Sequence, residues 1–340
     1  MIRRLQFSII LIILIQCVFA QQRPNYTQYI MNNYIVNPAI GGIENYIDVK
    51  LSVRNQWTGI EGAPKTFYAT IHGPIGKKDY RESITSLDMQ GANPRGKEYW
   101  ENYYAAAPHH GLGLTVVNYQ TGYINRSTSY ATYSYHMGLN GTTSLAAGFG
   151  AGFSSTTINR SKITLANSFD PAIGNLNNDI TKIRPELNAG LWLYSSNYFI
   201  GTSAQQIIPV KLNLVDSSIY KSTLIPHIFF TSGYRLSAGE DLSVLTSFMI
   251  RYIASTPLAV DLNLKVQYHD LLWIGTNFRK GDGFAAMLGV NVAHTVNISY
   301  SYDNNRGKFL LGSMNRGTNE LVLGFTLNNK YGDLCPRNIW

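Results

Sequence analysis

The 340-residue chain carries 28 Lys and Arg against 20 Asp and Glu, a net charge of +8, and only 14% of its residues are charged while 45% are hydrophobic. So few charges beside 23 tyrosines exclude a disordered chain. Two cysteines exclude a disulfide framework, and no Cys/His cluster has the spacing of a structural zinc site.

Residues 1–20 read as a secretory signal peptide. Arg3 and Arg4 precede an apolar run from Phe7 to Ile15, and Val18-Phe19-Ala20 suits cleavage before Gln21. The run is too short for a membrane anchor. Gln16 before Cys17 does not fit a lipoprotein signal, which has a small residue there. Loss of Arg3 and Arg4 lowers the net charge from +8 to +6 and leaves one thiol, Cys335. No basic run with interleaved aromatics follows, so nucleic acid is not an expected partner. Residues 21–44 are expected to form an N-terminal periplasmic segment.

From residue 45 onward the chain alternates. Val260 to His269 puts apolar and polar side chains on opposite faces, as do Ile47–Arg54, Asn297–Asp303 and Leu321–Leu327. No window keeps a helical period, and no apolar run after the signal is long enough for a spanning helix. The pattern predicts strands at 45–57, 66–75, 109–118, 124–138, 142–154, 185–195, 197–207, 224–237, 241–253, 258–268, 271–279, 283–293, 295–303 and 318–328. Asn140-Gly141, Ser195-Ser196-Asn197 and Ala238-Gly239-Glu240 are apt turns between them.

A soluble sandwich or propeller and a transmembrane barrel both produce such alternation. The barrel is favoured by the export signal, by strand lengths near those of a tilted span, and by charges within strands (Lys50, Arg54, Lys265) that suit a wet lumen. Tyr46, Trp57, Trp192, Tyr194 and Trp273, near strand ends, are expected as an aromatic girdle. The expected fold is therefore all-β: a transmembrane antiparallel barrel of about 14 strands over 45–328, with a tail at 329–340. Closure also removes the edges that an open sheet of this size would expose.

The chain's motifs resemble one family. Gln28-Tyr29, Asn37-Pro38-Ala39-Ile40-Gly41-Gly42 and the stretch Arg54-Asn55-Gln56-Trp57-Thr58-Gly59-Ile60-Glu61-Gly62-Ala63-Pro64-Lys65-Thr66 are similar to the opening of PorP/SprF outer-membrane proteins, which are associated with type IX secretion and gliding motility. His110-Gly111-Leu112-Gly113-Leu114, Asp170-Pro171-Ala172, Arg251-Tyr252, Asp261-Leu262-Asn263, Tyr300-Ser301-Tyr302-Asp303, Glu320 and Cys335-Pro336-Arg337 extend the resemblance along the chain. It implies a non-enzymatic barrel in the cell outer membrane, without a cofactor. Its partners would be outer-membrane lipid, type IX secretion and motility components and, in some members, one large surface adhesin. A channel or ligand transporter is the alternative.

The candidate site follows from these motifs. Arg54, Asn55, Gln56, Trp57, Gly62, Pro64 and Lys65 are expected to set the register of the first two strands or to touch a partner. Arg54 should face the lumen and pair with a carboxylate, with Asp48, Glu44 or Glu61 as suppliers. With an even strand number and both termini in the periplasm, long connections fall on the outside except for 77–108. That insert carries Tyr80, Tyr99, Trp100, Tyr103 and Tyr104 among charges and is the candidate periplasmic docking surface. Cys335 is a lone tail thiol. Adjacent His109 and His110 should point to opposite faces, so they do not share a metal. Gly148, Gly150 and Gly152 lie within a strand and suit close packing, not phosphate binding.

Overall fold

A computed structural model describes residues 25–77, 103–159, 179–209, 211–212, 222–223, 225–238, 242–254, 256–269, 271–281, 283–293, 295–305 and 317–328. Fourteen strands close a barrel: β1 (Ile47–Asn55), β2 (Lys65–Ile75), β3 (His109–Thr121), β4 (Ile124–Gly138), β5 (Ser144–Ile158), β6 (Ile180–Tyr194), β7 (Tyr198–Gln205), β10 (His227–Ala238), β11 (Leu242–Ile253), β12 (Ala259–Tyr268), β13 (Leu272–Arg279), β14 (Gly283–Ala293), β15 (Val296–Asn305) and β16 (Thr318–Leu327). The short strands β8 (Lys211–Leu212) and β9 (Ser222–Thr223) pair with each other outside the ring. Sequence neighbours pair antiparallel throughout, and β1 closes on β16 with Ile47 opposite Leu327 and Arg54 opposite Glu320.

Each strand expected from the alternation is present, with ends shifted by a few residues. The largest shift is in β6. It was expected to start at 185 and instead runs from Ile180, with Pro185 opposite Phe153. Its partner β5 extends to Ile158, so pairing carries β6 past the point where local pattern fades.

Burial is inverted relative to a soluble protein. Val53, Phe67, Ile71, Leu114, Phe149 and Leu191 face outward, while Ser52, Arg54, Thr66, Thr70, Asn188 and Glu320 are buried. An apolar exterior around a polar interior is the signature of a barrel whose outer face meets lipid. Among the described residues no helix is long and apolar enough to cross a membrane; the crossing is made by strands.

The expected aromatic girdle needs correction. Tyr46, Trp192, Tyr194 and Trp273 are buried inside the ring, and of the five only Trp57 is exposed. Trp192 stacks on Phe199, with ring centroids 4.9 Å apart. Strand-end position alone does not tell which face of the sheet a ring occupies; register does.

The two ends of the barrel differ. At one, strands are joined by 139–143, 195–197, 239–241, 269–271, 294–295 and the long 76–108; we call this the short-turn end. At the other lie 56–64, 122–123, 159–179, 206–226, 254–258, 280–282 and 306–317, the long-loop end.

Phe149→Arg, which sets a charge on the outer face of β5, should destabilise the inserted barrel by about 2–4 kcal/mol. The check is the fraction of chain in the outer membrane that shows heat-modifiable gel mobility. The wild type recovered as a soluble monomer would contradict the barrel.

Candidate functional site

The barrel interior is filled by the chain's own N-terminal segment. Residues 25–46 pass through the ring in three short 3-10 turns, Gln28–Met31, Asn33–Ile35 and Pro38–Ile40. Nearly every residue from Asn25 to Tyr46 is buried, including Gln28, Tyr34, Ile35 and Ala39. Of the segment 21–44 that was expected in the periplasm, the described part, 25–44, lies inside the ring instead. Fourteen strands enclose a lumen lined with polar groups whose hydrogen-bonding capacity has to be met, and the segment's Asn, Gln, Thr and Tyr side chains meet much of it.

At the long-loop end the plug starts in a charged cluster. Arg54 donates from Nη1 to Glu320 Oε2 at 2.8 Å and to Thr27 Oγ1 at 2.7 Å, and from Nη2 to Asp303 Oδ2 at 2.6 Å. Thr27 returns its hydroxyl to Asp303 at 2.6 Å and its backbone N–H to Glu320 at 3.0 Å. Gln28 donates to the Glu320 carbonyl at 2.9 Å. A second pair stands on β12 and β13: Arg279 holds Asp261 through Nε at 3.0 Å and Nη2 at 3.2 Å, and reaches the Tyr26 carbonyl at 3.4 Å. Arg251 binds the Asn25 side chain, and Asn263 donates to the Tyr29 hydroxyl.

Arg54 thus faces the lumen and pairs with carboxylates as expected, but they are Asp303 and Glu320. Asp48 pairs instead with Lys50, and Glu61 is exposed. Glu320 is the direct cross-strand neighbour of Arg54 once β1 meets β16. That adjacency exists only in the closed ring, so nearness in sequence was the wrong guide.

At mid-depth the wall grips main chain. Ser203 donates to the Val36 carbonyl at 2.6 Å, and Gln205 donates to the carbonyls of Ile35 and Val36 at 2.9 and 3.0 Å. Asn37 donates to the carbonyls of Leu191 and Thr202 at 3.0 and 3.2 Å, while its Oδ1 caps the turn that follows by accepting from Ala39 N. The chain can press this close because glycines line its path. A Cβ at Gly111, Gly148 or Gly190 would intrude on Gly41, on Ala39 and on Asn37, respectively.

At the short-turn end three histidines hold the Gly41-Gly42 bend. His136 donates from Nε2 to the Gly41 carbonyl at 2.7 Å, the His109 ring lies between the Gly42 carbonyl, 3.2 Å from Nε2, and the Ala107 carbonyl, 2.9 Å from Nδ1, and the Gly42 N–H points to His72 Nδ1 at 3.4 Å. The rings of His109 and His136 stack at 4.6 Å. His110 is exposed on the opposite face. Gly42 has φ +75°, a conformation that admits few side chains. The chain then turns back into β1.

Packing fixes the plug further. Tyr34, Ala39, Ile40 and Ile43 join Ala146, Trp192, Tyr194 and Phe199 in one apolar cluster; Tyr29, Ile30, Ile35 and Val36 join Tyr68, Phe229, Met249 and Trp273 in another. Withdrawing Tyr34, Ile35, Val36, Ile40 and Ile43 into water would cost on the order of 10 kcal/mol in apolar exposure alone. The segment is therefore a resident part of the core.

The other site candidates separate. Asn55 and Lys65 pair across β1 and β2 and are exposed, and Gln56 donates its N–H to the Pro64 carbonyl at 2.9 Å. Trp57, at φ +47°, donates its N–H to Thr318 Oγ1 at 3.3 Å, and the Gly62 carbonyl accepts from Gly122 N at 2.8 Å. This stretch thus ties the β1–β2 connection to its neighbours at the long-loop end. In the insert, Tyr103 is buried and Tyr104 is exposed, whereas Tyr80, Tyr99 and Trp100, like Cys335, lie outside the described residues.

Motif residues far apart in the chain therefore meet on one surface, between plug and wall: Gln28, Asn37, Arg54, Gly111, Asp303 and Glu320 among them. A family model for the type IX secretion system membrane protein PorP/SprF matches residues 18–325. The chain belongs to the PorP/SprF family. It is a type IX secretion system membrane protein with an outer-membrane β-barrel fold, and membership implies association with secretion components. No curated protein matches this PorP/SprF chain. Similar solved structures include Omp33 of Acinetobacter baumannii, with 11% identity over 84% of this chain and 100% of that one, at a TM-score of 0.45. A Pseudomonas aeruginosa FadL homologue aligns with 12% identity over 90% and 95% at 0.46, and the Pseudomonas putida toluene transporter TodX with 10% over 87% and 93% at 0.48.

Arg54→Ala should leave Asp303 and Glu320 buried without their counter-charge and cost about 3–5 kcal/mol, read as a lowered unfolding midpoint in detergent. Adding Asp303→Asn and Glu320→Gln to that variant should recover part of the loss. Gly148→Val should push Ala39 off the wall, and limited proteolysis of folded barrels should then cut within residues 25–46, which the wild type protects.

Proposed function

We propose that this barrel is a non-enzymatic adaptor of type IX secretion, which supports the secretion or surface attachment of adhesin-like substrates and gliding motility. The observation that carries the reading is the filled lumen. A plug anchored by buried ion pairs at one end, histidine contacts at the other and two apolar clusters between leaves the barrel's ends and rim as the places where partners act. The same observation weighs against the alternative, a channel or ligand transporter, which needs a continuous path.

Outer-membrane barrels carry their short turns on the periplasmic side, so the short-turn end is assigned to the periplasm. The insert 77–108 leaves the ring at that end and is proposed as a docking surface for periplasmic components, with Tyr104 as its described exposed aromatic.

Deleting the gene and profiling secreted and surface proteins tests the role. Loss of one adhesin identifies a dedicated partner, loss of all substrates a core component, and an unchanged profile contradicts the proposal. In planar bilayers the purified protein should show no steady conductance of porin size; such a conductance would favour the channel.

A further inference from the structure

Closing the ring does not pair every strand along its whole length. β5 and β6 pair from end to end, from Ser144 with Tyr194 to Ile158 with Ile180. β7 follows β6 only from Tyr194 to Asn188. The Ile207 N–H then donates to the Leu187 carbonyl at 3.0 Å, and the pairing stops. The stop has a local cause. Gln206 takes φ +55° and gives its N–H to the Asn188 side chain at 3.2 Å, and Pro209, without an N–H, follows. Among the described residues, 180–186 of β6 therefore have a strand partner on the β5 side alone.

This length stands clear of the bilayer. β5 and β6 have 15 residues each where β7 has 8, and the surplus, about 20 Å along the strand, lies at the long-loop end. The outer face turns polar there. Asn118 donates to Ser127 at 2.8 Å across β3 and β4, and the Thr157 and Thr181 hydroxyls meet at 3.0 Å across β5 and β6. With the short-turn end in the periplasm, the open edge lies on the outer side of the cell.

The Leu187 carbonyl points to the β7 side, so by the alternation of a strand Thr181, Ile183 and Pro185 turn their main chain to the open edge. Thr181 and Ile183 offer an N–H and a carbonyl each, and Pro185 a carbonyl. Such a row, at strand spacing, is matched by an extended polypeptide. The side chains narrow the choice. Ile183, 70% exposed, lies on the outer face; Lys182, exposed, and Arg184, buried, lie on the other, with buried Glu186 beyond them. Pro185 and Lys182 are residue types that keep an edge from pairing indiscriminately. A second copy of this chain fits poorly. Two-fold pairing about Ile183 would set Lys182 of one copy opposite Arg184 of the other, like charges face to face, and would offer the Thr181 carbonyl to Pro185, which has no N–H.

We propose that the β6 edge at Thr181–Pro185 takes up an extended segment of a secreted polypeptide as an added strand, with an acidic residue beside Lys182. The inference rests on the adaptor reading and names where, and in what form, a substrate is held.

The test uses the full-length protein in its native cell, with the photo-crosslinking residue benzoylphenylalanine at Thr181 or Pro185 or, as a control on the lipid-facing part of β6, at Leu191. Irradiation should join Thr181 and Pro185 to the same secreted polypeptide, at partner residues about four apart, the spacing of a strand ladder, and Leu191 should not give this adduct. Ile183→Pro removes an N–H that points away from β5, so the ladder to β5 is kept. In barrels that remain heat-modifiable it should lower the yield from Thr181 about tenfold or more, whereas Ile183→Val should leave it unchanged. Lys182→Glu, an exposed change that spares the backbone, should lower it about fivefold. Yields indifferent to both Ile183→Pro and Lys182→Glu would overturn the inference. So would an adduct within residues 160–178 or 206–226 of this same chain, an adduct with a second copy, or no adduct from a folded barrel. If gene deletion still impairs secretion in those cases, the adaptor reading stands and only the edge fails. If deletion changes nothing, the adaptor reading itself fails.

Discussion

A ring of strands in a membrane has to keep an apolar face toward lipid, and by strict alternation this forces every second side chain into the lumen. Here those inward residues include Arg54, Arg279, Asp261, Asp303 and Glu320, groups that are costly to bury unless paired. Arg54 resolves the problem by joining β1, β15, β16 and the plug through Thr27. Remove that guanidinium and the ring's closing seam, two carboxylates and the first turn of the plug lose their common partner.

Much of the barrel was legible in the sequence because the signal is local. Period-two patterning in stretches such as Val260–His269 survives any uncertainty about partners, and turn chemistry at Asn140-Gly141 marks strand ends without tertiary knowledge. The lumenal orientation of Arg54 followed from the same parity. What was not legible depends on which elements face each other. Nothing local distinguishes Trp192, turned inward onto Phe199, from a girdle tryptophan. Nothing local tells that Asp303 and Glu320, and not Asp48, lie beside Arg54. The plug was missed for a related reason. Residues 21–44 lack strand alternation and helical period, so they read as a periplasmic segment. The usable clue was their density of Asn, Gln and Tyr, side chains able to satisfy a polar wall, together with the glycines at 111, 148 and 190 that make room for a backbone.

Plug and barrel are best regarded as one folding unit. The two apolar clusters draw on both, so the interior combines a polar lining with packed patches such as Tyr34 with Ile40, Trp192 and Phe199. This division of labour explains why the segment stays. Hydrogen bonds to the wall are individually modest because water can replace them, whereas the apolar clusters have no such substitute.

The bond from Thr27 to Glu320 joins residues 293 positions apart. The first described turn of the chain therefore cannot find its anchor until the last strand exists, and the Arg54–Glu320 pairing that closes the ring is formed by that same strand. Loop-closure entropy makes contacts of this span slow to form. The N-terminal segment can therefore complete its contacts only as the seam between β1 and β16 shuts around it. Assembly thus carries its own proofreading: a chain cut short before β16 has neither a closed wall nor the carboxylate that holds its beginning in place.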